Sequence, residues 1–411
     1  MKMQDVLTLK LKDIDVSLKE LKKLRELAMG VVSELKKKKI DAFIGGSLAK
    51  GTVVKKEMPD VDIFVVFDEE KEISKLERAL SSFKLPGVLK KVHGSRDYFQ
   101  ILTKDVKLEL IPVVKNVDPE EATNVTDVSL SHVKYVVGAI KKDKKLANEI
   151  KLAKAFCQAQ KCYGAESYIK GFSGYSLEVL VIYFGSFVNF LKNVGRRKVV
   201  DPKKYFKNEK QVLFELNSSK LQGPLVVVDP TYKYRNVTAG LSEETFKEFL
   251  ETVKKFLKKP SLEFFEYSKT DLNELKSFAV KNKAKLFEVD LETDRQEGDI
   301  AGTKCKKFFD FFVKELNRNG QEVLRKEFFY VGEGVKAKGY LVVKVKSIVE
   351  VRGPPVSLKK SVEGFKKEHA KTYVKKGVLW AKKEVSIVEV FDFANRVKDE
   401  MGSWGKNIKI L

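Results

Sequence analysis

The chain has 411 residues, of which 80 are Lys or Arg and 57 are Asp or Glu, for a formal net charge of +23. That length predicts two to four domains, and the charge favours a polyanionic partner such as nucleic acid, although lysines that only solvate helix faces would give the same excess. No apolar run reaches the roughly 20 residues of a membrane span and the N-terminus lacks a signal-peptide pattern, so we expect a cytoplasmic protein that does not enter a membrane.

The few cysteines and histidines argue against zinc and hydrolase chemistry. None of the three cysteines belongs to a CxxC pair, and none of the three histidines has zinc-like or Ser/His/Asp spacing. The pattern is typical of a reducing compartment and a chain without structural zinc.

The first element in chain order is an amphipathic helix from Ser17 to Lys39. Leucine, alanine and valine recur on one face, and Ser17 with Glu20 forms a capping-box pattern. We interpret this helix as structural.

A glycine turn follows at Gly45, Gly46 and Ser47. Residues 40–44 predict a short buried strand, and the residues up to Lys50 predict the opening of a helix. Glycine permits a tight turn close to a ligand, and free amides at a helix start suit a phosphate. Taken alone, such a tripeptide is more often a plain turn.

Carboxylates are spaced for metal binding after this turn. Asp60 and Asp62 are two residues apart at the start of a strand, so their side chains leave the same face about 6.5 Å apart and can share divalent cations. Glu109 lies on the polar face of a later strand at 106–112. If the two strands are neighbours, three carboxylates converge.

The order of these motifs resembles the nucleotidyltransferase superfamily that includes polymerase beta and the poly(A) polymerases. Later segments resemble the archaeal, class I, CCA-adding enzymes, and the resemblance covers essentially the whole chain. The segments that carry it are Lys154 to Ser186, with Tyr163 to Glu166 and Lys170 to Tyr175, then Val226 to Pro230, Arg235 to Val237, and Arg352 to Pro355.

This resemblance implies an α+β multidomain fold. We expect a polymerase-beta-like nucleotidyltransferase palm at 1–125, a central, largely helical nucleotide- and tRNA-binding domain at 126–260, and a C-terminal tRNA-binding body and tail region at 261–411. After residue 262, the predicted order of strand, helix, strand, strand indicates a ferredoxin-like α+β unit.

The resemblance also implies template-independent addition of C, C and A to the 3′ end of tRNA, from CTP and ATP, with two Mg²⁺ ions and release of pyrophosphate. Asp60, Asp62 and Glu109 would be the catalytic, metal-binding carboxylates. The residues expected at the incoming nucleotide are Gly46, Ser47, Lys50, His132, Lys154, Tyr163 and Arg235. Basic residues of a lysine-rich stretch are candidates for tRNA backbone contact, or for a solvated helix face: Lys359, Lys360, Lys366 and Lys367.

Two positions depart from the family pattern. Glu109 stands where aspartate is usual and is one methylene longer. Lys50 stands where arginine is usual and gives a point charge in place of a bidentate fork. Two alternatives therefore stay open: a poly(A) or oligonucleotide polymerase of the same superfamily, and a non-catalytic RNA-binding relative. Whether the chain forms a homodimer is also left open.

Overall fold

A computed structural model gives the fold and describes residues 1–94, 96–115, 124–267, 271–397 and 402–411. The chain divides into two compact units, residues 1–267 and 268–411. The helices of the first unit are α1 (Met3–Ile14), α2 (Leu18–Lys37), α3 (Gly46–Lys50), α4 (Ser74–Leu80), α5 (Ser129–Lys142), α6 (Lys145–Ala159), α7 (Gly174–Phe184), α8 (Phe187–Asn193), α9 (Glu209–Glu215) and α10 (Glu243–Lys258). Its strands are β1 (Asp41–Ile44), β2 (Asp60–Phe67), β3 (Val88–Val92), β4 (Tyr98–Leu102), β5 (Lys107–Val114), β6 (Val199–Val200), β7 (Val226–Asp229) and β8 (Tyr232–Asn236).

A five-stranded sheet in the order β1-β2-β5-β4-β3 carries the glycine turn and the predicted carboxylates. Strands β2 and β5 are parallel neighbours, and the other pairings are antiparallel. Helix α2 packs its apolar face on this sheet, and its N-terminus has the predicted capping box between Ser17 and Glu20. The neighbouring strands expected for Asp60 and Glu109 are thus confirmed.

A second core of the first unit is helical and rich in phenylalanine. Helices α6, α7, α8 and α10 surround it, and α1, which the sequence did not predict, contributes Val6, Leu7 and Ile14 to it. Among the described residues no single helix is long and apolar enough to cross a membrane. Helix α7 and the helical segment from Phe187 to Arg196 reach that length only together, with a bend of 91° between them.

The second unit has the predicted ferredoxin-like topology. Its helices are α11 (Leu272–Lys281), α12 (Asp299–Arg318), α13 (Lys359–Glu368) and α14 (Ile387–Arg396), and its strands are β9 (Lys285–Thr293), β10 (Glu322–Phe329), β11 (Lys336–Lys344), β12 (Ile348–Pro355), β13 (Thr372–Lys375), β14 (Val378–Glu384) and β15 (Ser403–Ile410). The sheet order is β10-β11-β9-β15, with antiparallel neighbours throughout. This is a βαββαβ arrangement, in which α12 and α14 are the two crossover helices.

A smaller sheet, in the order β12-β14-β13, is inserted between β11 and α14 together with α13. Between residues 340 and 351, where the sequence predicts strand, the structure ends β11 at Lys344 and begins β12 at Ile348. The sequence predicts a helix, or a strand followed by a helix, from Lys383 to Met401. The structure has the end of β14 there and then α14 from Ile387, and residues 398–401 lie outside the described residues.

Candidate active site

The turn after β1 can be built only with glycine at its second position. Gly46 has φ +54, and a Cβ atom there would lie 1.6 Å from Asp62 Oδ2. The Gly45 amide donates to the carbonyl oxygen of Asp62 at 2.8 Å. The turn therefore lies directly against the Asp62 carboxylate, with half-buried Ser47 next in the five-residue helix α3.

The three predicted carboxylates lie on one face of two adjacent strands. In the parallel register Asp62 is opposite Glu109, and Asp60 is opposite Lys107. Lys107 Nζ lies between the outer two carboxylates, 2.8 Å from Asp60 Oδ1 and 3.3 Å from Glu109 Oε1. Gln100 Nε2 donates to the same Glu109 oxygen at 2.9 Å.

Charge is distributed unevenly over this face. Burial, with the negative charges of Glu109 and Asp60, raises the pKa of Asp62 to about 7. Burial acts in the same direction on Asp60, but Lys56 and Lys107 outweigh it and lower the pKa of Asp60. Of these two carboxylates, Asp62 is the one whose negative charge is less compensated by neighbouring lysines.

A second group, which we call the lysine–glutamate cluster, consists of Lys50, Thr52, Lys154 and Glu178. Glu178 Oε2 accepts from Lys50 Nζ at 2.7 Å, and Glu178 Oε1 accepts from Lys154 Nζ at 2.8 Å. Thr52 Oγ1 accepts from Lys154 Nζ at 3.0 Å and donates to Glu178 Oε1 at 3.3 Å. Burial opposes ionisation of Glu178, but the two lysines hold its pKa down to about 2.

A third group, the Asp229 cluster, is centred on a fully buried carboxylate at the end of β7. Asp229 Oδ1 accepts from Tyr175 Oη at 3.0 Å and from Thr231 Oγ1 at 2.7 Å. Asp229 Oδ2 lies 3.0 Å from His132 Nε2 and 3.1 Å from Arg235 Nη1. Burial would raise the pKa of Asp229, but these neighbours hold it at about 2, and burial lowers the pKa of His132.

The three groups are linked through Lys50. Its Nζ atom lies 5.6 Å from the ring centroid of Tyr175, which stacks on the His132 ring at 3.8 Å between centroids. The charges of Lys50 and Lys154 also act on the Asp62 carboxyl group and partly oppose the rise in its pKa. The carboxylate face, the lysine–glutamate cluster and the Asp229 cluster therefore form one continuous polar region.

Tyr163 belongs to the same region. It lies past the end of α6, in a bridge to Phe172, and its hydroxyl faces Gly174 at the start of α7. Burial raises the pKa of Tyr163, and the negative charges of Glu178 and Asp62 add to that effect. The hydroxyl thus stays protonated beside both carboxylates.

All ten predicted catalytic and nucleotide-site residues lie in the first unit, whereas the four predicted RNA-contact lysines lie on exposed α13 in the second. Sequence reasoning did not select Thr52, Tyr175, Glu178 or Asp229. Glu178 had one usable signal, because it is the single charged residue in the apolar segment 177–184. Asp229 had a weaker one, its place at the end of an apolar run.

The carboxylate set has the oxygen chemistry that Mg²⁺ prefers. Among the described residues, no group of three or more His, Cys, Asp or Glu side chains is gathered so that it holds an ion as it stands. On the carboxylate face, the Lys107 ammonium group contacts both Asp60 and Glu109. The oxygen donors on this face are of the type that a divalent cation binds, and two of the three carboxylates are paired with Lys107.

The fold and this polar region define a nucleotidyltransferase. The family model described as a nucleotidyltransferase domain matches residues 24–122. A solved cytoplasmic RNA terminal U-transferase superposes with a TM-score of 0.52 at 13% identity, covering 65% of this chain and 99% of its own. The Cid1 poly(U) polymerase gives 0.51 at 14% identity, over 64% and 98% of the two chains. These two likenesses concern the fold alone.

Sequence relatives narrow the assignment. The family model for the second domain of tRNA nucleotidyltransferase matches residues 148–266. The CCA-adding enzyme of Nanoarchaeum equitans is 33% identical over 82% of this chain and 81% of its own length, and that of Methanocaldococcus jannaschii is 27% identical over 90% and 83%. The chain belongs to the CCA-adding enzyme family, and it is a nucleotidyltransferase acting at the 3′ end of tRNA.

Proposed function

We propose that this enzyme adds C, C and A in turn to the 3′ end of tRNA, using CTP and ATP and releasing pyrophosphate. One observation carries the proposal: Asp62 and Glu109 are neighbours on parallel strands, and Asp62 faces the Gly46 turn. Carboxylates that can gather cations thus lie beside a turn suited to a triphosphate.

The carboxylate face would place the reacting groups. Asp60, Asp62 and Glu109 are the residues proposed to hold two Mg²⁺ ions. When bound, such ions lower the pKa of an attacking hydroxyl and neutralise a leaving pyrophosphate. The pKa of Asp62, raised to about 7, supports this role, because a cation nearby would favour its ionised form. In the protein itself, Lys107 and Lys56 supply positive charge beside Asp60.

The turn and the lysines would hold the triphosphate. The Gly46 and Ser47 amides and the ammonium groups of Lys50 and Lys154 are proposed to contact phosphate oxygens, with the protonated Tyr163 hydroxyl as a further donor. Because pyrophosphate is the leaving group, charge held here stabilises the transition state as well as the bound nucleotide.

His132 and Arg235 are proposed to contact the incoming nucleotide. Both are held by Asp229, and the His132 ring is also stacked on Tyr175. Arg235 retains N–H groups in a rigid fork that suits phosphate or a base edge.

We further propose that α13 contacts the tRNA backbone, and that the palm, central and tail domains have the boundaries expected from the sequence. A cytoplasmic location and a possible homodimer stay predictions.

An incorporation assay tests the activity. A tRNA that ends before C-C-A is incubated with Mg²⁺ and CTP alone, ATP alone, or both. We expect two C additions and a stop with CTP alone, and a complete C-C-A end with both. A homopolymer tail would favour the poly(A) or oligonucleotide polymerase, and no addition to any of several tRNA ends would overturn the proposal.

A further inference from the structure

Glu178 is a buried carboxylate that the proposed reaction does not use. Its side chain is 1% exposed in the apolar helix α7, between neighbours that are fully buried. Placing a charge in such a helix costs free energy unless it is paired and hydrogen-bonded. Each carboxylate oxygen of Glu178 accepts a hydrogen bond from one lysine of the cluster, so the buried charge is paired.

The cluster contains more positive than negative charge. Two ammonium groups share one carboxylate, although the Lys50 and Lys154 side chains are only 9% and 6% exposed. A purely structural pair needs one cation for each anion. In the part of the chain that the structure describes, Lys154 Nζ makes two hydrogen bonds and Lys50 Nζ makes one, so both keep donors for a further anion.

The two lysines come from distant parts of the chain and meet only at Glu178. Lys50 ends α3, directly after the glycine turn, while Lys154 lies in α6, more than a hundred residues later. Thr52 joins them as well, because its hydroxyl accepts from Lys154 and donates to Glu178. Lys50 ends the five-residue helix α3, whose first residue, Gly46, lies against the Asp62 carboxylate, so the fork that the two lysines form begins beside the carboxylate face.

We propose that Glu178 is a positioning residue: it holds the Lys50 and Lys154 ammonium groups side by side so that both contact the triphosphate of the incoming nucleotide. The inference rests on the proposed function and adds a residue to it. Without the carboxylate, two like charges would be buried together, and one lysine would lose its proton or turn away. Either change removes one of the two phosphate contacts.

Since phosphates are common to CTP and ATP, losing Glu178 should affect both nucleotides equally. The test compares wild type with Glu178→Gln and Glu178→Asp. It measures inhibition by inorganic tripolyphosphate, direct binding of tripolyphosphate by calorimetry, KM and kcat for CTP and ATP, and the dissociation constant for tRNA. Circular dichroism and thermal unfolding report the fold of each variant.

For Glu178→Gln we expect tripolyphosphate binding to weaken at least about tenfold and KM to rise by the same factor for both nucleotides, with tRNA binding within about twofold of wild type. Glu178→Asp keeps the charge but is one methylene shorter, so it should hold one lysine and recover part of the loss. If Glu178→Gln does not fold, the test uses Glu178→Asp, which should bind tripolyphosphate about threefold more weakly than wild type.

Glu149→Gln is the matched control. Glu149 is a half-buried glutamate of α6 that accepts from the Phe187 amide at 2.8 Å, so its loss affects the fold but no lysine of the cluster. Glu178 variants that bind tripolyphosphate like wild type would overturn the proposal, even if they melt early. Tripolyphosphate binding needs no turnover, so a wild-type protein that adds no nucleotide would refute the proposed function without deciding the role of Glu178.

Discussion

Asp62 and Glu178 are acidic residues of the same polar region, yet their surroundings push their pKa values in opposite directions. Asp62 has two other carboxylates as near neighbours, and its pKa is raised to about 7. Glu178 is more deeply buried, but two ammonium groups hold its pKa at about 2. Burial alone therefore does not decide how a carboxylate behaves. Its partners do: Asp62 lies beside other carboxylates, whereas Glu178 lies between two ammonium groups.

The largest expected effect is the loss of catalysis when the Asp62 carboxylate is removed. Asp62→Asn should lower nucleotide incorporation by more than about a thousandfold, because an amide cannot replace a carboxylate as a ligand for two cations. The tRNA dissociation constant should stay within about twofold. Asp41→Asn, an exposed change on neighbouring β1, should keep wild-type incorporation. Full activity of Asp62→Asn would remove Asp62 from the metal site.

Stability should respond in opposite directions to removing the two charges. Glu178→Gln leaves buried ammonium groups without a counterion, so we expect the free energy of unfolding at pH 8 to fall by about 3–5 kcal/mol. In metal-free protein, Asp62→Asn removes a charge that is unfavourable there and should raise that free energy by up to about 4 kcal/mol, the equivalent of the rise in the Asp62 pKa. Chemical unfolding measures the free energy of unfolding of each variant, and changes of the same sign in the two variants would contradict the comparison.

The pH dependence of stability sharpens the same contrast. The folded-state pKa of Asp62 is raised above the ordinary 3.8, so the folded protein holds more protons and loses stability as pH rises from about 4 to about 7. The Glu178 pKa is lowered, so its contribution is present above about pH 4.5 and is lost as pH falls toward 2. The stability difference between Asp62→Asn and wild type should therefore be near zero at pH 4 and grow up to pH 8.

A smaller effect is expected at Lys107, the ammonium group between Asp60 and Glu109. Lys107→Met removes a positive charge that a divalent cation would have to displace or tolerate. We expect Mn²⁺ to bind about three- to tenfold more tightly, as measured by electron paramagnetic resonance of free Mn²⁺. Lys56→Met removes the other lysine on Asp60 but leaves Glu109 unchanged, so it should produce a weaker change. Unchanged Mn²⁺ affinity in Lys107→Met would contradict this reading.

The smallest effects are expected on helix α13 of the second unit. The side chains there are exposed, so each of Lys359→Gln, Lys360→Gln, Lys366→Gln and Lys367→Gln should weaken tRNA binding by no more than about two- to threefold. The logarithm of the tRNA affinity falls as the logarithm of the salt concentration rises, and each phosphate contact that is lost should make this fall less steep by about 0.9. Lys36→Gln on α2 is the control, and an equal response there would indicate a general charge effect.

Local pattern was enough to predict the carboxylate face. The period of two places Asp60 and Asp62 on one side of β2, and the polar face of β5 supplies Glu109. The turn was predictable because two glycines and a serine stand between a predicted strand and a predicted helix. The structure shows why glycine is needed there: a Cβ atom at Gly46 would strike Asp62. The ferredoxin-like order of the second unit was also predicted, although the sheet inserted after β11 was not.

The partners of the buried charges were not readable in the same way. Lys50 was expected to neutralise phosphate, but its contact with Glu178 spans 128 residues, and that of His132 with Asp229 spans 97. No periodicity relates such positions, because packing of helices on one another decides which of them meet. Helix α1 was missed for a related reason: its apolar face is defined by the second core, which the local sequence does not reveal.

The sequence separation within the lysine–glutamate cluster also bears on how the enzyme matures. Lys50 leaves the ribosome long before α7, so a nascent chain can complete the five-stranded sheet while its phosphate fork is still missing. Release of α7 adds the carboxylate that joins Lys50 to Lys154, so a fragment ending before Glu178 would keep the strands of the acidic face but lack the link between the two lysines.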